Sequence, residues 1–173
     1  MKIAVLGYAG SGKTYLSDYI SEKYNIPVLH LDCVKWDKEW KAIDDSVVLP
    51  QVSDFMKNEK WIIDGFYQYL YYDERLEQAD IIVLLQLPRF TCFYRAVKRT
   101  KSRRKDGYKN DLNWWFVKFT LFGCRNKERR QIYSDIIRKY KDKTVVLKNK
   151  RQVAEFMNCI TDDNIIKSKG NGI

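Results

Sequence analysis

Gly7-Tyr8-Ala9-Gly10-Ser11-Gly12-Lys13-Thr14 matches the pattern G-x-x-x-x-G-K-[ST] at every position. Its flanks are those the pattern requires. An apolar run over residues 3–6 precedes it and reads as a short buried strand, while Leu16, Tyr19, Ile20 and Tyr24 follow at helical spacing. Glycines permit the tight backbone turn that points successive amide N–H groups into one concavity, an anion nest. The helix behind presents its unpaired N–H groups and the positive end of its dipole to the same point. Lys13 brings a positive charge able to bridge the β- and γ-phosphates of a nucleoside triphosphate, and the Thr14 hydroxyl is a ligand type suited to Mg²⁺. Gly7, Gly10, Ser11, Gly12, Lys13 and Thr14 are therefore the candidate nucleotide-binding residues, with ATP and Mg²⁺ as the expected ligands.

Beyond this loop, strand and helix signals alternate along the 173 residues. Pro27 interrupts the first helix, and Val28-Leu29-His30-Leu31 reads as a second strand. A helix is expected over residues 48–57, its start obscured by Pro50, because proline fits only the first turn. Trp61-Ile62-Ile63, Ile81-Ile82-Val83-Leu84-Leu85 and Thr144-Val145-Val146-Leu147 complete a set of five strands. Helices are expected over residues 90–104, 112–122 and 128–140, and a closing helix carries Val153, Phe156, Met157 and Ile160. Short apolar strands separated by helices predict an α/β fold, a parallel sheet covered on both faces. The length suits one domain, expected over residues 1–160, with 161–173 as a polar, fraying tail.

Charge is unevenly distributed. Residues 1–88 carry 9 basic and 14 acidic side chains, whereas residues 89–130 carry 14 basic and 3 acidic, so that one segment accounts for the whole excess of the chain's net +10. Trp114, Trp115, Phe116, Phe119 and Phe122 lie in the same segment. Three readings stand side by side: a nucleic-acid face with cations on phosphates and rings on bases, a lid that carries arginines onto a small substrate's phosphates, and a solvated basic helix whose rings pack inward.

Cys33, Cys92, Cys124 and Cys159 form no C-x-x-C pair, and the single histidine, His30, cannot complete a zinc site of the usual sort. Four reduced thiols in a cytoplasmic protein are expected. No apolar run approaches the ~20 residues of a membrane span, and no signal peptide is visible.

The loop, together with Val28-Leu29-His30-Leu31-Asp32, Trp36 and Trp40, Trp61-Ile62-Ile63-Asp64-Gly65 and Leu84-Leu85-Gln86-Leu87-Pro88-Arg89, resembles the bacterial DNA topology modulation (FlaR-type) proteins, an adenylate-kinase-like P-loop family. The resemblance covers about residues 1–157. It implies a nucleoside/nucleotide-kinase-like three-layer fold, a five-stranded sheet in the order 2-3-1-4-5, and a helical basic lid inserted at about residues 100–128. The implied function is Mg²⁺-dependent phosphoryl transfer from ATP to a nucleoside, nucleotide or other small acceptor. The family's name suggests the alternative, nucleotide-dependent DNA binding through the basic segment.

Ligands of open α/β sheets sit beyond the carboxyl ends of the strands, where Asp32 and Asp64 are both expected. In similar kinases the acid at the Asp64 position orients water on Mg²⁺, so Thr14 and Asp64 are the candidate metal residues. Asp32 is the candidate for binding the acceptor's polar edge or taking its hydroxyl proton, with the nearby tryptophans seating the acceptor, and His30 is expected to pack. Arg95, Arg99 and Arg103 recur every four residues and so share one helix face, where mutual repulsion would be reversed by a polyphosphate. The similar enzymes use arginines there and at the far end of the lid, which here offers Arg125, Arg129 and Arg130. Lys13, Asp32, Asp64, Arg95, Arg99 and Arg129 are thus the candidate catalytic residues. One well-placed arginine contributes about 10³–10⁵ in rate to phosphoryl transfer. The loop Lys148-Asn149-Lys150-Arg151 is expected against the adenine. Gln86 replaces an acid common in relatives, and a glutamine is neither a base nor an anionic metal ligand.

Overall fold

A computed structural model describes residues 1–101 and 114–160, with side chains left out at 99–101 and 114–116. Arg103, the middle of the expected lid and the expected tail fall outside the described residues, as does the side chain of Arg99.

Five strands, β1 (Lys2–Gly7), β2 (Val28–His30), β3 (Trp61–Asp64), β4 (Ile81–Leu85) and β5 (Thr144–Leu147), form one sheet. All neighbours are parallel and the order is β2-β3-β1-β4-β5, as the resemblance implied. Alternate residues of the three central strands enter opposite cores. Ala4, Leu6, Trp61, Ile63, Ile82 and Leu84 face one side, where they meet α3 (Asp45–Met56), α4 (Tyr72–Gln78) and α7 (Lys127–Lys139) through Val48, Val52, Leu76, Tyr133 and Ile136. Ile3, Val5, Ile62, Val83 and Leu85 face the other, against Leu16 and Ile20 of α1 (Lys13–Tyr24) and Val153 of α8 (Lys150–Cys159). The central strands β1 and β4, and β3 up to Asp64, are apolar on both faces because each face is covered, which is why these runs lack polar alternation.

The connections differ from expectation in three places. Leu31 does not continue β2. It opens a short helix, α2 (Leu31–Lys35), and is fully buried, so Asp32 lies in a helical first turn and not at a strand end. The close approach of Gly65 explains the turn: its φ is +132°, and a Cβ there would stand 2.9 Å from Leu31 Cβ. α3 begins at Asp45 and carries Pro50 in its interior, because the Asp44 side chain accepts from Ser46 N and sets the start a full turn earlier. α4 was not foreseen, since Arg75 occupies a position of its buried stripe, between Tyr72 and Leu76, where an apolar residue would signal a helix.

Between β4 and β5 the chain runs through α5 (Arg89–Lys101), α6 (Trp114–Leu121), a 3-10 turn at Gly123–Arg125 and α7. None of the described helices is long and apolar enough to cross a membrane.

Candidate functional site: a phosphate-binding loop flanked by two carboxylates

The loop between β1 and α1 sits at the carboxyl edge of the sheet, centred on the innermost strand. Gly10 and Gly12 adopt φ of +73° and +94°, the left-handed region that favours glycine. A Cβ on Gly10 would run into the Cys92 carbonyl, and at Gly12 the left-handed backbone strains any side chain. The helices α3, α7 and α8 are each capped by a side chain, from Asp44, Asn126 and Asn149, whereas α1 starts at Gly12 and has no side-chain cap. Its first amides thus face outward into the nest. Lys13 is half-buried at the start of α1 and makes no hydrogen bond or ion pair among the described residues.

Asp64 closes β3 opposite Val5 and is 4% exposed. Its Oδ2 accepts from Thr14 Oγ1 at 3.0 Å and lies 3.1 Å from His30 Nδ1, while its Oδ1 is buried with no hydrogen-bond partner among the described residues. Ser11 Oγ is buried and unpartnered in the same sense. A buried carboxylate oxygen without a partner is costly unless something supplies positive charge, so the donor set of Asp64 and Thr14 fits a hard cation. Among the described residues no three His, Cys, Asp or Glu side chains gather as a metal cage. A cation held by Thr14 and Asp64 would therefore complete its shell with phosphate oxygens and water, as Mg²⁺ commonly does.

His30 was expected to pack, but it is a polar bridge. Nε2 lies 2.9 Å from Asp18 Oδ1 while Nδ1 faces Asp64. The hydrogen bond with Asp64 holds its imidazolium above the ordinary histidine range, against the opposing effect of burial. Strand pairing explains this, because His30 and Asp64 are register partners across β2 and β3. No spacing along the chain signals it.

Asp32 is exposed. Its Oδ1 accepts from the Tyr67 hydroxyl at 2.6 Å, and Tyr67 Oη accepts in turn from Trp36 Nε1 at 2.9 Å. Burial, and then the negative charge of Asp32, raise the Tyr67 phenol well above its usual range, so it remains a proton donor. Tyr67 sits on a loop pinned by Arg75, whose guanidinium donates to the carbonyls of Leu70 and Tyr67 at 2.8 Å each and, more weakly, to Gly65 at 3.4 Å. Burial lowers Arg75 to about 10, which leaves it charged at neutral pH. Sequence reasoning missed both Tyr67 and Arg75.

Three described arginines of the basic segment, Arg95, Arg125 and Arg129, are engaged within the fold, while Arg89 and Arg130 are exposed. Arg95 Nη1 donates to the Ser11 carbonyl at 2.9 Å, which places it against the phosphate-binding loop. Arg129 lies over the Phe66 ring at 3.4 Å, immediately after Asp64-Gly65. Arg125 is consumed elsewhere: it donates to the Leu87 carbonyl at 2.7 Å and to Cys92 Sγ at 3.2 Å, and it stacks on Tyr8 at 3.9 Å. It braces the loop and is not directed at a substrate phosphate. An open cavity of about 550 Å³ adjoins Arg95 and is lined by Phe90, Thr91, Tyr94, Arg95, Lys98 and Lys150. Lys150 comes from the loop expected against a base. Gln86 continues the end of β4 and donates its backbone N–H to Leu147.

A phosphate-binding loop on the central strand of a 2-3-1-4-5 parallel sheet, with an acid closing the adjacent strand, defines a P-loop protein of the kinase-like fold. The chain belongs to the AAA domain family, whose profile matches residues 3–115. It is 30% identical to an adenylate kinase of Encephalitozoon cuniculi (strain GB-M1), over 61% of this chain and 70% of that enzyme. It is 25% identical to an adenylate kinase of Desulfovibrio desulfuricans (strain ATCC 27774 / DSM 6949 / MB), over 65% of this chain and 62% of that enzyme's length. These likenesses make it adenylate-kinase-like. Among solved structures, a shikimate kinase from Aquifex aeolicus vf5 superposes with a TM-score of 0.54 at 18% identity, over 99% of this chain and 100% of that one. A gluconokinase from Sinorhizobium meliloti 1021 gives 0.52 at 16% identity, over 97% and 90%. At those identities the shared property is the fold.

Proposed function

We propose that this protein is an ATP-dependent phosphotransferase that uses Mg²⁺ and acts on a small acceptor. One observation carries the reading: the amide nest at Gly10–Thr14 and Asp64, whose buried Oδ1 has no partner among the described residues, lie at the same edge of the sheet, joined by the Thr14–Asp64 hydrogen bond. The likeness to adenylate kinases supports it.

In this reading the loop amides and Lys13 hold the triphosphate, and Thr14 with Asp64 holds the cation, which when bound offsets charge on the β- and γ-oxygens. The base lies in the cavity beside Tyr94 and Lys150. Arg95 and Arg129 approach the phosphates from two sides, with Arg99 next along α5. The acceptor oxygen forms a bond to the γ-phosphorus as the bond to the β,γ-bridging oxygen breaks, and ADP leaves with that electron pair. Asp32, exposed beside Tyr67, takes the acceptor's proton and passes it to water. The protein working in the cytoplasm and the narrower kinship with DNA topology modulation proteins both belong to this proposal. The comparisons give DNA binding no support; of the described arginines of the segment, Arg95, Arg125 and Arg129 are engaged within the fold, while Arg89 and Arg130 are exposed.

The test is calorimetry of Mg-ATP binding alongside acceptor-dependent ADP release. Lys13→Ala is expected to weaken Mg-ATP by about tenfold or more, equivalent to about 1.4 kcal/mol. A wild-type chain that gives no heat with Mg-ATP at millimolar concentration overturns the reading.

A further inference from the structure

Asp64 is held through one oxygen. Its Oδ2 accepts from Thr14 Oγ1 at 3.0 Å and faces His30 Nδ1 at 3.1 Å, whereas the buried Oδ1 has no hydrogen-bond partner among the described residues. Two donors converging on the same oxygen fix the plane of a carboxylate and leave its other oxygen for a ligand that carries positive charge.

The second of those donors is itself anchored. Strand pairing sets the separation of His30 and Asp64, which are register partners, but it leaves the torsion of the imidazole open. Asp18 closes that freedom, since its Oδ1 lies 2.9 Å from His30 Nε2. Ionised carboxylates only accept, so the ring donates from both nitrogens, and a half-turn would set carbon against both acids. Asp18 stands four residues after Thr14 on α1, which places the two side chains on one face of that helix. Thr14, Asp64, His30 and Asp18 therefore form a closed circuit that leaves α1, crosses β3 and β2, and returns to α1 one turn later. Exposure rises along it, from 5% for the Asp64 side chain to 20% for His30 and 49% for Asp18. A substitution at Asp18 thus reaches the buried acid without opening the core.

Resting on the phosphotransferase reading above, we propose that His30 and Asp18 are positioning residues for the divalent cation that accompanies ATP. His30 holds the Asp64 carboxylate by Oδ2 so that Oδ1 stays free for the cation, and Asp18 fixes the His30 ring. Both act through Asp64 and not on the nucleotide.

The test is calorimetric titration with ATP, once in excess Mg²⁺ and once in excess chelator, on the wild type, Asp18→Ala, Asp18→Asn and His30→Leu. The ratio of the two dissociation constants is the gain in affinity that the cation brings. His30→Leu is expected to lower this gain by about tenfold, the scale on which groups behind a metal ligand set its affinity. Asp18→Ala, one bond further away, is expected to lower it by about threefold, while affinity for chelated ATP stays within about twofold in both variants. Asp18→Asn keeps an oxygen that accepts from Nε2 and is expected to recover most of the gain. An unchanged gain in Asp18→Ala and His30→Leu overturns the inference. Parallel losses with and without Mg²⁺ also overturn it, because a merely structural role would produce them. Asp18→Asn as damaging as Asp18→Ala would trace the effect to charge and overturn the positioning role, and a wild type that binds ATP equally well in both conditions would leave no cation for the circuit to serve. A wild type that gives no heat with either form of ATP instead removes the phosphotransferase reading itself.

Discussion

His30 Nδ1 and Asp64 Oδ2 stand 3.1 Å apart across the β2–β3 edge, where the two residues are register partners in the parallel ladder. The imidazole also reaches Asp18 on α1, so one ring joins two strands and a helix around the acid that closes the candidate metal site. Asp64 depends on that neighbour and on Thr14 for its orientation.

Replacing His30 by leucine keeps the volume and removes both hydrogen bonds. The buried Asp64 carboxylate then loses a partner, at an expected cost of about 1–3 kcal/mol. Urea denaturation of the metal-free protein measures it. Loss of less than about 0.5 kcal/mol would mean the bridge contributes little beyond packing.

Gly10→Ala tests the loop itself. The residue sits at φ +73° and its added methyl would enter the space of the Cys92 carbonyl, so the backbone of α5 or of the loop must shift. The strain is expected to cost about 1–3 kcal/mol. Thermal melting should fall by roughly 2–4 °C per kcal/mol for a chain of this size, with loss of Mg-ATP affinity. An unshifted melting point together with unchanged affinity would refute the geometry.

Arg75→Met exchanges a buried guanidinium for an apolar chain of similar length. The carbonyls of Leu70 and Tyr67 are then left without their donor, and the loop that presents Tyr67 loses its tie to α4. The expected destabilisation is about 2–5 kcal/mol, read from urea midpoints. Because the variant removes a structural brace, acceptor affinity should fall more than ATP affinity in whatever fraction remains folded.

The four thiols should separate into two classes. Cys33 and Cys159 are exposed, whereas Cys92 and Cys124 are buried. Burial pushes the Cys92 thiol upward, against the lowering effect of Arg125 beside it, so its thiolate is scarce at neutral pH. Ellman titration of the native chain is expected to report two rapidly reacting thiols and to release the other two only in denaturant. Rapid reaction of all four would contradict the packing of Arg125 over Cys92.

Much of the fold was legible because its signals are local. Five apolar runs marked the strands, and strand–glycine loop–helix marked the nest, since both depend on residues within a few positions of one another. The short helices were not legible. α2 has only five residues, and α4 buries an arginine where an apolar residue would have declared it. Pro50 misled the start of α3, because the Asp44 cap outweighed the proline's preference for the first turn.

The site divides along the same line. From the residues came the phosphate cup, Asp64 at the end of its strand and the four-residue spacing of the arginines beginning at Arg95. The roles expected of Asp64, Asp32 and those arginines came from the family resemblance, and the structure moved Asp32 from a strand end into α2. Tertiary structure alone decided that His30 bonds Asp64, that Tyr67 and Trp36 hold Asp32, and that Arg125 is spent on Leu87, Cys92 and Tyr8. The reason is physical. A backbone conformation answers to its near neighbours, but a side chain's hydrogen-bond partner is chosen by which elements the packed core brings within about 3 Å, and those partners lie dozens of residues apart in the chain.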